Sequence, residues 1–524
     1  MFKKYITRIL IVAVLGGFTA CSDDFTNLTP LGSATESNFF QSQADAEAAV
    51  NAMYYYMGDE DMFSRGFMWY INASDDMVTG RPNGTADNIK NFNLTGDEGY
   101  SSWMYPQCFK IIRRANDVLA NVTDMDIDQN LKNRYLGEAL FMRGFHYFWV
   151  ASTYGNDVSG GVPIVTVENM KEIQFTRPAS VVENYQQIVA DLTEAVELLP
   201  LYTEYSSENK GRAHKDACYA YIAKTYLYWA QYDNTKWGKV IEYCDKVTNS
   251  GSGRALIDTD TPEQDFRDVF KYQNEFGSEY IWSVTSGIDR GSKLIGVMLE
   301  NKGWGVYNGW GYYTPTEELY EEFEAGDQRR EATILKFGDE FQFWGEARRY
   351  QSTNSLSGFQ FNKYMDIYSY EDPIGNGLIN ANGNALYTIQ DVPILRYAEI
   401  LLMKAEAKLM ISENADAEIN AVRNRAGLSS KTNCTLDDLK HERRVEFAGE
   451  FANRHRDLVR WGDAKEVYSK PLHGRIHSDK TDPDSGYTVE EVWAARNYKP
   501  EIHNIWMIPN EVIESSGIPQ NQGW

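Results

Sequence analysis

The sequence has 524 residues, with 51 lysines and arginines against 75 aspartates and glutamates, and a formal net charge of −24. A surface this acidic repels the phosphate backbone of nucleic acids, and no cluster of basic residues offsets it, which argues against nucleic-acid binding. The length allows one large domain or two to three ordinary ones.

The first 20 residues have the order that is typical of a secretory signal. Three basic residues precede the apolar segment 9–15, and small residues follow it up to Cys21. The apolar segment is too short to remain as a membrane-spanning helix. We therefore predict that residues 1–20 are removed on export. Without their three basic residues, the chain has 48 basic against 75 acidic side chains and a formal net charge of −27.

Cys21 is the first residue after the predicted cleavage point, and the acidic stretch Ser-Asp-Asp-Phe follows it. This arrangement looks like a bacterial lipoprotein site, where the new terminal cysteine carries acyl chains, and the acidic stretch resembles the export tag of surface lipoproteins. Because each buried CH₂ adds about 0.8 kcal/mol, two or more acyl chains hold a protein firmly. We predict a lipid anchor on Cys21 with residues 21–40 as its tether. The alternative is an ordinary secreted protein with a chance cysteine near its cleavage site.

Several segments between residues 135 and 250 have apolar residues at three- and four-residue steps, which predicts amphipathic helices. Two of them are joined by the turn-like stretch 231–236 and predict a helical hairpin. Small residues in the first of these two allow close helix packing, which resembles tetratricopeptide hairpins, although the full repeat consensus is absent. We interpret the aromatic residues of these helices as packing residues. The predicted helices are 135–155, 180–200, 219–230 and 237–247.

The pattern changes between residues 251 and 390, where glycine supplies 17 of the 140 residues and the helical periodicity fades. The densest stretch is Gly-Trp-Gly-Val-Tyr-Asn-Gly-Trp-Gly-Tyr-Tyr at 303–313. Glycine allows sharp turns, so the neighbouring aromatic rings are expected on loops, where binding residues are usually found. The helical pattern returns at 392–410, with Leu395 on its apolar side.

Four stretches carry a resemblance that covers nearly the whole chain. They are LRYAEILLMKAEAKL from residue 395, HERRVEFAGEFANRHRDLVRWG from residue 441, the closing IWMIPNEVIESSGIPQNQGW, and Ser-Asp-Asp at 74–76. In this order they resemble the SusD/RagB family of outer-membrane nutrient-binding lipoproteins. The resemblance implies a mainly α, SusD-like fold in which tetratricopeptide-like helical hairpins form a scaffold with a loop-rich, irregular ligand-binding region.

We expect residues 41–524 to form a single SusD-like domain. The helical scaffold would occupy about 41–250 and 391–465, and the loop-rich binding region about 251–390. Residues 466–524 would form a C-terminal tail.

The charged residues of these motifs are interpreted as structural. An arginine and a carboxylate form a two-pronged ion pair that joins segments without doing chemistry. The residues expected in such pairs are Arg443, Arg444, Glu446 and Asp457.

The cysteines that follow Cys21 have neither zinc-like nor redox spacing. The sequence leaves open whether they form disulfides. These residues are Cys108, Cys218, Cys244 and Cys434.

The resemblance also implies a function in nutrient capture. Members of the family lie on the cell surface, cap a SusC-like TonB-dependent outer-membrane transporter and capture oligosaccharides for import, while RagB-type members take peptides. We therefore expect a lipid-anchored glycan-binding protein of the outer membrane, exposed at the cell surface, with that transporter as its partner. No catalysis, cofactor or metal is expected.

Sugar rings offer an apolar face of C–H bonds and an edge of hydroxyls, so a binding site needs flat aromatic rings and a few polar side chains. The stretch 303–313 supplies both, and ligand loops of the family tend to lie there and in the stretch 79–85. The alternative is that some of these rings fill the core beneath long loops. The candidate rings are Trp304, Tyr307, Trp310, Tyr312 and Tyr313, and the candidate polar partners are Asn308, Arg81 and Asn83.

Two other functions remain open. A peptide-capturing homologue or an adhesin is compatible with the acidic surface, which favours cationic peptides. A secreted glycoside hydrolase would also be acidic and rich in aromatics, but it needs two carboxyl groups at a defined separation. The sequence contains no HExxH, GxSxG or P-loop motif.

Overall fold

The computed structural model describes the chain from residue 39 to residue 524 with short gaps. Helices dominate the described residues, and the strands are short and paired. The residues after 38 that are not described are 60–61, 64, 81, 288–297, 299–308, 344–345, 352–354, 366–378, 382–385 and 389.

Most of the helices lie in the first half of the chain and between residues 397 and 468. They are α1 (Gln43–Met57), α2 (Arg65–Asn72), α3 (Gly84–Lys90), α4 (Tyr100–Val122), α5 (Gln129–Tyr154), α6 (Val181–Leu198), α7 (Lys215–Trp229), α8 (Trp237–Thr248), α9 (Pro262–Asp268), α10 (Glu317–Glu322), α11 (Arg329–Thr333), α12 (Tyr397–Met410), α13 (Asp416–Arg425), α14 (Leu436–Phe447), α15 (Arg454–Trp461), α16 (Ala464–Tyr468), α17 (Pro500–His503) and α18 (Asn510–Ser516).

The strands form two-stranded antiparallel pairs: β1 with β3, β2 with β10, β4 with β7, β5 with β6, β8 with β9, and β11 with β12. Their bounds are β1 (Met77–Val78), β2 (Tyr280–Val284), β3 (Thr314–Pro315), β4 (Ile334–Lys336), β5 (Glu340–Phe343), β6 (Glu346–Arg349), β7 (Phe359–Phe361), β8 (Ile379–Ala381), β9 (Leu386–Thr388), β10 (Val392–Arg396), β11 (Leu472–His477) and β12 (Tyr487–Trp493).

Helix starts follow from local sequence signals. Ser42 and Asp45 form a capping box at α1, in which each side chain accepts a hydrogen bond from the other residue's backbone N–H. Ser180 and Glu183 form the same arrangement at α6. These bonds satisfy N–H groups that a helix start would otherwise leave without acceptors. The predicted helix at 180–200 is confirmed as α6.

Neighbouring helices pack against each other in chain order from α4 to α8, and then on to α12 and α13. Glycines of α5 let α6 approach closely, because a Cβ on Gly144 would lie 3.0 Å from Cγ of Leu192 and one on Gly137 would lie 2.8 Å from Cγ of Leu199. The expected mainly α fold is confirmed.

The helical pattern predicted at 392–410 is only partly a helix. Residues Val392–Arg396 form β10, which pairs with β2, and α12 begins at Tyr397. Leu395 is therefore buried in a strand, opposite Trp282, rather than on a helix face. A short apolar run is compatible with either structure, and here a partner strand distant in sequence decides between them.

One large hydrophobic core runs through the molecule and contains residues from Ala46 to Ile518. The loop-rich part therefore shares its core with the helices. The boundaries expected within 41–524 stay a prediction. All four cysteines after Cys21 are free and buried. Among the described helices, none is long and apolar enough to cross a membrane.

The charged motifs join distant segments, as predicted. Arg443 forms an ion pair with Asp457, and Arg444 forms ion pairs with Asp75 at 3.0 Å and Asp76 at 2.7 Å. All five residues are buried or nearly so. The two ion pairs of Arg444 fix the Ser-Asp-Asp motif, immediately before β1, against α14.

A buried lysine shapes the turn that leads into β1. The Nζ atom of Lys90 donates hydrogen bonds to the carbonyl oxygens of Asn72 at 2.8 Å, Ser74 at 3.0 Å and Met77 at 2.7 Å. Three acceptors match the three donors of an ammonium group. The turn at 72–77 is thus held from inside by α3.

Candidate functional site

The structure brings two of the predicted ligand-contacting segments together. Strand β1 pairs with β3, and beyond it the backbone N–H of Gly80 donates to the carbonyl of Tyr312 at 3.2 Å. A Cβ on Gly80 would lie 2.0 Å from the carbonyl oxygen of Gly311, so this close approach requires glycine at position 80. The stretch after the Ser-Asp-Asp motif and the end of the stretch 303–313 lie side by side.

Buried groups anchor this junction. Thr316 donates from its backbone N–H to the carbonyl of Asp76 at 3.0 Å and from Oγ1 to the carbonyl of Asp75 at 2.8 Å. Burial by itself would raise the pKa of Asp75, but the guanidinium groups of Arg444 and Arg454 outweigh it and hold this pKa well below its usual range. Asp75 is committed to ion pairs, which fits a structural role rather than proton transfer.

A stacked group stands at the junction, and we call it the Trp310 platform: Arg65, Trp310 and Tyr312. The guanidinium carbon of Arg65 lies 4.2 Å from the centre of the Trp310 ring and 5.3 Å from that of Tyr312. The Trp310 and Tyr312 rings meet edge to face, with centres 6.1 Å apart. The cation fixes one side of the half-buried indole, so a ligand can use only the part that Arg65 leaves uncovered.

An exposed tryptophan that the sequence analysis did not select lies on the neighbouring helix. Trp103, in the first turn of α4, has 44% of its surface exposed. It lies off the buried stripe of this helix, which includes Met104 and Cys108. Helix α4 packs against α2, which carries Arg65. An aromatic residue outside the apolar stripe was the available sequence signal for Trp103.

Family models match nearly the whole described chain. Residues 221–524 match the model described as "SusD family". The chain belongs to the SusD family. Residues 32–227 match a second model, described as "Starch-binding associating with outer membrane". The predicted family resemblance is confirmed.

Relatives of this SusD-family chain align with it over most of their length. SusD-like protein P2 of Formosa agariphila is 28% identical over 498 residues, which are 89% of this chain and 91% of that protein. A solved SusD-like protein from Bacteroides fragilis has a TM-score of 0.77 at 24% identity, covering 94% of this chain and 99% of that one. A structure described as a laminarin-binding SusD-like protein has a TM-score of 0.68 at 24% identity, covering 92% and 99%. At such identities, the solved structures establish the fold alone.

Two of the predicted aromatic plates of this SusD-family protein are buried. Tyr313 is fully buried, and its hydroxyl donates to the carbonyl of Arg65 at 3.2 Å. Tyr312 is only 8% exposed. Both residues lie where the chain enters the β1–β3 pair against α2, so their rings pack inward. The prediction that they present open faces to a ligand is wrong, and Tyr312 instead supports Trp310.

Asn83 has a structural task in the SusD-family chain. Its Oδ1 accepts a hydrogen bond from the backbone N–H of Ala86 at 3.1 Å and caps the start of α3. The side chain is half-buried. Capping uses one of the two lone pairs of the amide oxygen and fixes the orientation of the side chain. Ligand contact by Asn83 stays a prediction.

The remaining candidates lie outside the described residues. They are Arg81, Trp304, Tyr307, Asn308 and the lipidation site Cys21. Within the described part of the chain, no group of three or more His, Cys, Asp or Glu side chains is arranged to hold a metal ion.

Proposed function

We propose that the protein is a cell-surface lipoprotein that captures oligosaccharides or polysaccharides and delivers them to a SusC-like TonB-dependent outer-membrane transporter. The observation that carries this proposal is the Trp310 platform, a half-buried indole fixed by Arg65 where two predicted ligand-contacting segments meet. The description of one matching family model as starch-binding and of a similar structure as laminarin-binding supports a glycan as ligand.

Stacking on rings such as Trp310 suits a weak and reversible contact with sugar rings. If a stacked sugar ring contributes about what an aromatic pair does, roughly 0.5–1.5 kcal/mol, two or three rings give only about 1–4.5 kcal/mol. A millimolar Kd corresponds to about −4 kcal/mol. Modest affinity at one site allows the ligand to be released to the transporter, and many lipid-held copies along one polymer retain it by avidity.

Binding without catalysis agrees with the burial of the carboxylates at the junction, since Asp75 is 6% exposed and Asp76 is 2% exposed. Asp75 and Asp76 are both held in ion pairs by Arg444. A glycosidase instead needs one carboxyl group that donates a proton and another that attacks or activates water. The RagB-type alternative, a peptide ligand, is favoured only by the net charge and is included in the test below.

We expect Trp310→Ala to weaken glycan binding about two- to tenfold, which corresponds to about 0.5–1.4 kcal/mol for one stacked ring. The reason is that the indole supplies the flat apolar face of the platform, while its partial exposure limits the effect on folding. Isothermal titration of the full mature chain carrying Cys21→Ala, against starch, laminarin and cationic peptides, measures this effect.

The matched control is Trp229→Ala, which removes another half-buried indole on α7, outside the platform. Equal losses in both variants, or none in Trp310→Ala, would remove Trp310 from the site. Binding heat with the cationic peptides, and none with starch or laminarin, would favour the peptide function. Release of shortened sugars in the calorimeter cell would favour the glycoside hydrolase function.

The lipid anchor has a separate test. We expect Cys21→Ala to release the exported protein from the membrane, because the acyl chains can no longer be attached. Fractionation of cells, with the wild-type chain in parallel, measures the distribution between membrane and soluble fractions. A variant that stays with the membrane would contradict an anchor at this residue.

A further inference from the structure

A cleft that contains no residue of the Trp310 platform lies between the end of α1, the loop 207–212 and the segment that follows β2. Its volume is about 460 Å³, within the range of small-molecule sites. We call it the Tyr55 cleft. The larger side chains that line it are Asn51, Tyr54, Tyr55, Glu208, Arg212 and Phe276.

The cleft combines an exposed aromatic ring with two partly buried ones. Tyr55 has 59% of its surface exposed, which is unusual for a ring of this size. Tyr54 and Phe276 are half-buried. Phe276 has a backbone φ of 59°, a left-handed conformation that non-glycine residues rarely adopt, and such strained positions are enriched at ligand sites. The rings provide flat apolar surface for a ligand.

The polar groups of the cleft are oriented before any ligand arrives. Arg212 donates to Oδ1 of Asn51 at 2.9 Å and to Oδ1 of Asn209 at 2.7 Å, and it forms an ion pair with Glu138 at 3.1 Å. Because a guanidinium group only donates, Asn51 must turn its oxygen toward Arg212. The Nδ2 donors of the exposed Asn51 side chain therefore point away from Arg212.

An acceptor complements these donors. Glu208 is exposed, and the hydroxyls of Ser206 and Ser207 lower the pKa of its carboxyl, so it is ionised at neutral pH. Arg212 and Arg134 share the carboxylates of Glu138 and Glu47, which balance their two positive charges, so this group has no net positive charge to attract an anion. An aromatic face with an amide donor and a carboxylate acceptor beside it fits a neutral polyhydroxylated ring.

The position of the cleft relates it to the platform. Gly58 lines the cleft, and Arg65 of the platform follows it by seven residues, a stretch that spans at most about 25 Å. The straight-line separation of Gly58 and Arg65 is therefore within the length of an oligosaccharide of several rings.

We infer that the Tyr55 cleft is a second sugar subsite, which binds a ring of the same glycan that contacts the Trp310 platform; this inference rests on the proposed function. Two linked contacts on one chain add avidity, because the second contact forms at a high effective concentration. The cleft thereby selects for long oligosaccharides over short ones.

The test measures affinity against ligand length. Starch and laminarin oligosaccharides of two to eight rings are titrated into the full mature chain carrying Cys21→Ala, alone and with Tyr55→Ala, Tyr55→Phe or Asn51→Ala. Tyr55→Ala and Asn51→Ala should weaken binding of the longest oligosaccharides about three- to tenfold and leave that of the shortest within about twofold. Tyr55→Phe keeps the ring and should behave like the parent protein.

Tyr487→Ala is the matched control, because it removes a tyrosine of similar exposure, 50%, on β12. Thermal unfolding of each variant verifies the fold. If the parent chain binds long oligosaccharides and Trp310→Ala weakens them while Tyr55→Ala and Asn51→Ala do not, the second subsite is refuted and the proposed function stands. If the parent chain binds no oligosaccharide of any length, the proposed function fails and the subsite with it.

Discussion

Replacing Glu446 with glutamine lowers the free energy of unfolding by about 3–5 kcal/mol, the cost expected for breaking a buried ion pair on one side. Glu446 is fully buried and accepts hydrogen bonds from Arg396 at 3.1 Å, from Arg329 at 3.0 Å and from Arg425. A neutral amide would leave three buried guanidinium groups short of negative charge, with N–H donors facing N–H donors. The contacts of Glu446 with Arg396, Arg329 and Arg425 confirm its predicted structural role.

Denaturation in urea measures this loss, and Glu466→Gln is the control. Glu466 makes the same kind of contact, with Lys470 at 2.9 Å, but on the surface, where water screens the pair and the substitution should change little. Similar stabilities of the two variants would contradict the role of the buried cluster.

The same carboxylate predicts acid sensitivity. Burial would raise the pKa of Glu446, but Arg425, Arg396 and Arg329 outweigh it and hold the pKa well below its usual range. The unfolded chain therefore takes up this proton at a higher pH than the folded protein. The contribution of Glu446 to stability is complete above about pH 5 and decreases as the pH falls further.

A second prediction has the opposite sign: stability falls as the pH rises from about 5 to 9, and Glu275→Gln reduces that fall. The backbone N–H of Asp391 donates to Glu275 at 2.6 Å, and that of Ser286 donates to the Asp391 carboxylate at 2.8 Å. Burial, together with the charge of Asp391, raises the pKa of Glu275 to about 9, and burial raises that of Asp391 to about 7.

The sign follows from proton binding. In the unfolded chain both carboxyl groups lose their protons near pH 4, whereas the folded protein keeps them to higher pH. Between these limits the folded state binds more protons, so each retained proton lowers the free energy of unfolding by about 1.4 kcal/mol per pH unit as the pH increases. Glutamine cannot ionise, and Glu275→Gln should therefore be more stable than the wild type at pH 9.

Urea denaturation at pH 5, 7 and 9 compares the wild type with Glu275→Gln and with Glu413→Gln, an exposed control. Parallel pH profiles for all three proteins would show that Glu275 loses its proton normally. A steeper loss in Glu275→Gln than in the wild type would contradict the sign.

The sequence was sufficient for features that depend on neighbouring residues. The helix at 180–200 begins with its own capping box and ends before proline, so α6 lies where the periodicity predicts it. The SusD family could also be recognised, because its motifs are contiguous stretches in a fixed order. The sequence also predicted that Arg443 and Arg444 form structural ion pairs, since charged residues on core helices must be neutralised when buried.

Other features depend on what lies across the fold. Val392–Arg396 is a strand only because β2 is available to pair with it. Tyr313 and Trp310 stand three residues apart in one glycine-rich stretch, yet Tyr313 is fully buried against α2 and Trp310 is only half-buried.

What the chain by itself determined is the family, the helical scaffold and the chemistry of a stretch rich in glycine and aromatics. Only the tertiary structure decided which rings are exposed, including Trp103 and Tyr55. The physical reason is that exposure of a side chain depends on the elements that cover it, and these come from distant parts of the chain.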